Sequence, residues 1–211
     1  MSYTIKHNLI SFSVTSNGLS GKEWITRLES KGFHVGDYAK SLLRSDDFKP
    51  TNGVTTEIAI LKGMFFEDDE RITKNIRSEA NRREWITPNA EIACLIREMF
   101  TDEEIEDMGL WAIIAMHKSI KDSDGNPNLL SVYRIDDGRW LDTTSGYPDD
   151  GWWDREYGFA FAVSQVSTKS LESQPSSPLP LELREFWKAC VIGGKTPKQA
   201  DEAMKALKKL K

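Results

Sequence analysis

Leu110-Trp111-Ala112-Ile113-Ile114-Ala115-Met116 is a nearly continuous apolar run, the pattern of a central strand rather than of one with a wet face. A second apolar stretch, Gly158-Phe159-Ala160-Phe161-Ala162-Val163, reads as the strand that closes the same sheet. Earlier in the chain, Ile10–Val14 alternates apolar and polar residues like a half-buried strand before a Ser16-Asn17-Gly18 turn. Val54–Leu61 has the β-branched content of another strand.

Helices separate these runs. Ser20 caps GKEWITRLESKG, with Trp24, Ile25 and Leu28 on one face and Gly32 at its end. Gly36–Arg44 places Tyr38, Leu42 and Leu43 on one side. Asp68–Arg83 carries Ile72, Ile76 and Ala80 at helical spacing. Pro88, after Thr87, opens NAEIACLIREMF from the first turn. Thr101 caps a short acidic helix that Gly109 ends, its acids well placed against the helix dipole. Asp122-Ser123-Asp124-Gly125-Asn126 marks a hairpin turn into Leu129–Tyr133. Its oxygen spacing resembles a calcium loop, but position 131 is Ser where the bidentate Glu belongs, so a plain turn is the stronger reading. Strands and helices together make the fold class α+β.

The 211 residues are 39% hydrophobic, enough for one good core and an appendage. No run of about 18 apolar residues exists to span a membrane. The N-terminal MSYTIKHNLISFSV lacks the order of a secretory signal, so the chain reads as soluble with its compartment open. Cys94 and Cys190 form neither a disulfide framework nor a metal site, and both read as buried thiols. The main domain is expected over 1–166 and a Ser/Pro-rich linker over 167–180. A basic helical hairpin then follows over 181–211, with Ala200, Met204 and Leu207 as a narrow apolar stripe.

Enzymatic motifs are absent. His7, His34 and His117 lie in separate segments, outside any HExxH, GxSxG or P-loop context. His117 reads as a strand-end side chain rather than a general base. Asp136-Asp137 and Asp149-Asp150, beside Trp152 and Trp153, allow an alternative reading: a glycoside hydrolase, or a carbohydrate-binding module with a Trp stacking platform. Adjacent residues in an extended chain face opposite ways, however, which disfavours paired carboxylates. No catalytic residue, metal or cofactor is assigned.

Arg134–Phe161 contains three of the seven tryptophans and two of the five tyrosines among Asp, Gly, Ser and Thr, the composition of a binding surface. Asp122–Thr168 has no lysine and carries three Arg against eight Asp and one Glu, whereas Lys169–Lys211 has a net charge of +4. The acidic stretch disfavours nucleic acid as its ligand. The basic tail suits an acidic partner or an oligomer contact, and assembly through those C-terminal helices is a second alternative function. Of the tryptophans, Trp140 and one of the pair Trp152 and Trp153 are expected to bury as scaffold.

Across Val132–Val163, the RIDDGRW motif, the Tyr147-Pro148-Asp149-Asp150 turn and the closing GFAFAV strand hold a run of Asp, Thr, Ser, Gly and Tyr. This pattern resembles the variable region of diversity-generating retroelement target proteins. Ser11–Val166 as a whole also resembles an uncharacterised bacterial protein family. In the retroelement class, miscopied template adenines spread Asn-type codons over Asp, Ser, Gly, Tyr, Thr, Ile and Arg, but never to Lys, Gln, Met or Trp. The lysine gap fits, as does the absence of Gln and Met between Asn128 and Ala162.

The resemblance implies a C-type lectin-like domain: a small twisted antiparallel sheet, flanking helices and a loop-rich variable region near 132–163. It implies a non-enzymatic protein that binds a protein or other macromolecule through a hypervariable surface. The ligand-facing positions would be Tyr133, Ile135, Asp136, Asp137, Asp142, Thr144, Ser145, Tyr147, Asp150, Trp153, Asp154 and Tyr157; because tryptophan lies outside the restricted set, Trp153, Trp140 and Trp152 would be inherited framework. Departures from the family pattern are the long helical stretch Asp68–Met108, the basic tail and the lack of a Glu-Pro-Asn calcium motif, which argues against lectin-type sugar binding. The cysteine chemistry of the related formylglycine-generating enzymes does not carry over.

Overall fold

The computed structural model describes residues 3–6, 9–135, 138–145 and 149–163. The linker and helical hairpin expected beyond them, with Cys190, lie outside the described residues. The chain opens with β1 (Thr4–Lys6) and β2 (Leu9–Asn17), then α1 (Gly21–Ser30), β3 (His34–Val35), α2 (Asp37–Arg44) and β4 (Asn52–Lys62). A 3-10 turn over Gly63–Phe65 leads to α3 (Thr73–Arg82), β5 (Trp85–Ile86), α4 (Glu91–Met99) and α5 (Asp102–Asp107). The remainder is β-rich: β6 (Ala112–Ala115), β7 (Ile120–Lys121), β8 (Pro127–Ile135), β9 (Gly138–Ser145) and β10 (Tyr157–Val163). The molecule is α+β, as the patterning indicates.

Local chemistry accounts for several boundaries. Ser20 and Thr101 each form a reciprocal capping box with the Glu three residues on, Glu23 and Glu104, satisfying backbone donors that a helix start leaves open. Gly18, Gly32 and Gly109 adopt positive φ at the turns that follow β2, α1 and α5, where a Cβ would be strained.

The ten strands of the described residues form one sheet in the order β1-β2-β4-β10-β6-β8-β9-β3, with β5 pairing β10 and β7 pairing β8. Two pairings, β10 with β6 and β3 with β9, are parallel. The sheet is therefore larger than the small antiparallel one expected, and five helices accompany it. The Gly158–Val163 run does not close the sheet at an edge; β10 is inserted between β4 and β6.

Both faces of the sheet's centre are covered. On one side Ile10, Ile58, Ile113, Val132 and Ala160 join a core that includes Trp24, Leu42, Ile96 and Ile105 from α1, α2, α4 and α5. On the other, Leu61, Ile114, Phe159 and Phe161 pack with Ile76 and Ala80 of α3 and with Trp153. Alternate residues of β4, β6 and β10 feed the two cores, as period-2 geometry requires. The apolar run at Leu110–Met116 is thus explained, since all four residues of β6 are buried.

Other differences have identifiable causes. Tyr38 does not share the buried side of α2: it is 47% exposed, its hydroxyl donates to Asp124 Oδ2 at 2.8 Å, and Ala39 fills the inner position. α4 begins at Glu91 rather than at Pro88, because Asn89 Oδ1 accepts the Glu91 N–H and its amide donates to Lys49 O. Gly138–Ser145 forms a full strand against β8 instead of loop; its Asp137-Gly138 dipeptide is a hairpin signal of the kind read at 124–125. Phe159 is fully buried between sheet and α3. Phe159→Ala is expected to lower unfolding free energy by about 3–5 kcal/mol, measured by urea denaturation.

Candidate functional site

Strand register decides which of the expected ligand-facing residues can act together. β8 and β9 pair Leu129 with Thr144, Ser131 with Asp142, Tyr133 with Trp140 and Ile135 with Gly138. Partners across a ladder share a face, and Tyr133 in turn pairs with Ala112 of β6, itself paired with Tyr157. Tyr133, Ile135, Asp142, Thr144 and Tyr157 therefore belong to one face of the sheet, the face that α3 covers further along. Tyr133 and Tyr157 meet edge to face at 6.4 Å.

The other predicted positions fall elsewhere. Ser145 pairs with Asn128 and belongs to the opposite face, while Asp150 and Asp154 are exposed in the segment that leads back into β10. Asp136, Asp137 and Tyr147 lie outside the described residues. Trp153 is corrected: it is 1% exposed, donates its indole N–H to Thr73 Oγ1 at 2.8 Å and packs edge-on against Phe159. Its neighbour Trp152 is the outward one, 57% exposed. The pair alternates because the chain there is extended, with a bridge between Ile72 and Trp152. Trp140 is half-buried and stacked at 4.8 Å on His34. His34 reaches this face through the parallel pairing of β3 with β9, a contact across more than 100 residues that no local pattern announces.

Asp142 is the acid among Tyr133, Ile135, Asp142, Thr144 and Tyr157. Burial pushes its carboxyl above the ordinary carboxylate range, the Thr143 N–H bond opposes that shift, and Asp37 adds to it. Gly36 lies so close that a Cβ there would stand 2.2 Å from Asp142 Oδ1. A carboxyl so placed can accept or, when protonated, donate a hydrogen bond.

The 149–157 segment is tied to the framework chiefly by backbone groups. Gly151 O and Asp149 O accept the first N–H groups of α3, from Thr73 and Lys74, in place of a side-chain cap. Arg71, only 3% exposed, donates to the carbonyls of Gly63, Phe66 and Trp153 and to the Asp68 carboxylate. Gly63 permits the close approach, since a Cβ on it would stand 2.6 Å from Asp154 O.

Residues with chemical potential elsewhere are committed to structure. His117 accepts the Leu130 N–H at Nε2 and bonds Lys118 O through Nδ1, so its ring is held neutral. Burial lowers its pKa to about 4. Asp122 Oδ1 accepts the Asp124 and Asn126 N–H groups and its Oδ2 the Asn128 amide, spending the carboxylate on the turn. Burial raises the Cys94 thiol well above the usual range, which makes it a poor nucleophile. Among the described residues, no group of three or more His, Cys, Asp or Glu side chains could hold a metal ion, and no helix is long and apolar enough to cross a membrane.

No family model matches the chain, and neither a curated protein nor a solved structure matches it.

Two outcomes are expected. Arg71→Leu takes the donor from the Phe66 and Trp153 carbonyls, while Gly63 O keeps the Phe66 N–H; at roughly 1–3 kcal/mol for each buried acceptor left unmet, the change is expected to open the 149–157 segment to limited proteolysis before the sheet unfolds. His117 binds its proton less readily folded than unfolded, because its pKa is about 4 against an ordinary 6.5. The unfolded chain then takes up more protons between those values, so stability present above pH 6.5 is lost as pH falls toward 4, by about 3 kcal/mol. Urea titrations at pH 7 and pH 4.5 should show a smaller loss for His117→Gln.

Proposed function

We propose that the chain is a non-enzymatic binding protein whose ligand meets the face built from β8, β9 and the 149–157 segment. The single observation that carries the reading is register: Tyr133, Ile135, Asp142, Thr144 and Tyr157, five residues of a lysine-free alphabet, share one face. Beside them stands a framework of Trp153, Phe159 and Arg71. Aromatic and short polar side chains on a rigid base suit recognition of a protein or other macromolecule, because little entropy is lost on contact. Acidic character turns the face away from phosphate backbones.

On this reading the domain is a C-type lectin-like variant that serves as the target of a diversity-generating retroelement. Variation falls on the exposed positions, while Trp153 and the GFAFAV strand stay constant because the core depends on them. The test is genomic. A near-copy of the Val132–Val163 coding segment, differing mainly at template adenines and accompanied by a reverse transcriptase gene, is expected beside the gene; its absence removes the diversification mechanism. At the protein level, exchanging Ile135, Thr144 and Asp154 together for other residues of the restricted set is expected to change stability by less than about 1 kcal/mol, read from the urea midpoint. A large loss would mean that these positions are structural.

A further inference from the structure

A cleft of about 170 Å³ opens between the start of β4 and the approach to α4, with Thr51, Val54, Thr56, Thr87, Glu91 and Leu95 in its wall. No residue of β8, β9 or the 149–157 segment takes part in it. It is separate from the face described above.

Glu91 sets the chemistry of this cleft. The residue is 1% exposed, and among the described residues its carboxylate is met by Thr51: the Thr51 N–H is shared between the two oxygens at 3.1 and 3.0 Å, and the Thr51 hydroxyl donates to Oε1. Three other partly buried acids are paired with cations: Arg27 and Lys31 for Glu98, Arg82 and Arg83 for Glu79, and Arg97 for Asp102. Among the described residues, no Lys, Arg or His lies within ion-pair distance of Glu91. Burying a carboxylate without a counter-charge is expensive, and its place in the first turn of α4 offsets only part of that cost. Oε2 receives only the shared N–H, so it keeps acceptor capacity.

We propose that this cleft binds a primary ammonium group carried on a short apolar chain. The ammonium has three donors: Glu91 supplies the charge and one acceptor, and the hydroxyls of Thr56 and Thr87 supply neutral acceptors. Val54 and Leu95 match an alkyl stem. A hard metal ion is a poorer fit, because it calls for several oxygen ligands at short range, and only one carboxylate is present in the wall.

The test is a titration of the full chain, ¹⁵N-labelled, with n-butylammonium chloride, followed by amide shifts. Sodium butyrate and n-butanol serve as charge-reversed and neutral controls. Saturable shifts at the Thr51, Val54 and Ile92 amides are expected with the amine alone, weakened about ten-fold or more in Glu91→Gln, a change of one decade in Kd. Thr56→Phe keeps the carboxylate, fills the cleft and is expected to abolish the response, which preserves the test should Glu91→Gln fold poorly. Saturation with butanol, an undiminished response in Glu91→Gln, or no saturation with the amine overturns the proposal. N-acetyl-lysine-N-methylamide separates two sources of the group: tighter binding than butylammonium assigns the site to a lysine side chain, weaker binding to a free amine.

Discussion

Burial of β10 on both faces is the constraint from which the rest of the architecture follows. Lying between β4 and β6, it sends Phe159 and Phe161 to one core and Ala160 and Ala162 to the other. A strand of that kind is stable only if both sides of the sheet are roofed, since exposed apolar surface forfeits about 25 cal/mol per Å². Four helices roof one side. Among the described residues the other side has α3 as its helix, and the 149–157 segment lies across it with Trp153 turned inward.

That solution makes a polar segment part of the core's lid. A buried guanidinium is an unusual support, but Arg71 suits it because its planar donors reach three carbonyls and a carboxylate at once. Gly63 removes the side chain that would keep the strand-like approach away. Rigid backbone beneath and exposed side chains above are what a recognition surface needs, so the structural lid and the proposed binding face are the same piece of chain. Trp152 and Trp153 show the division at single-residue resolution, one outward and one inward.

Buried polar groups take different solutions at different places. His117 stays neutral and joins two backbone segments. Lys62, also buried, donates to Met108 O at the end of α5, where a cation is favoured by the helix dipole. Asp142 is held with a raised carboxyl pKa beside Asp37. Glu91 relies on one threonine. The first two are closed arrangements, while Asp142 and Glu91 keep capacity to meet another molecule.

What could be read from the residues alone was local. Capping chemistry at Ser20 and Thr101, the glycine stops at Gly32 and Gly109, and the apolar runs at Leu110–Met116 and Gly158–Val163 place helices and strands because their causes lie within a few positions. Tertiary structure alone decided the rest. It put β10 at the sheet's centre instead of its edge, turned Gly138–Ser145 from loop into strand, brought His34 against Trp140, and chose Trp153 over Trp152 for burial. Each of these depends on which strand finds which partner across long stretches of chain, and side-chain facing follows from that register. A pairing between distant segments leaves no trace in either segment's own spacing, which is why the facing of side chains on β8, β9 and β10 could be assigned only from the sheet.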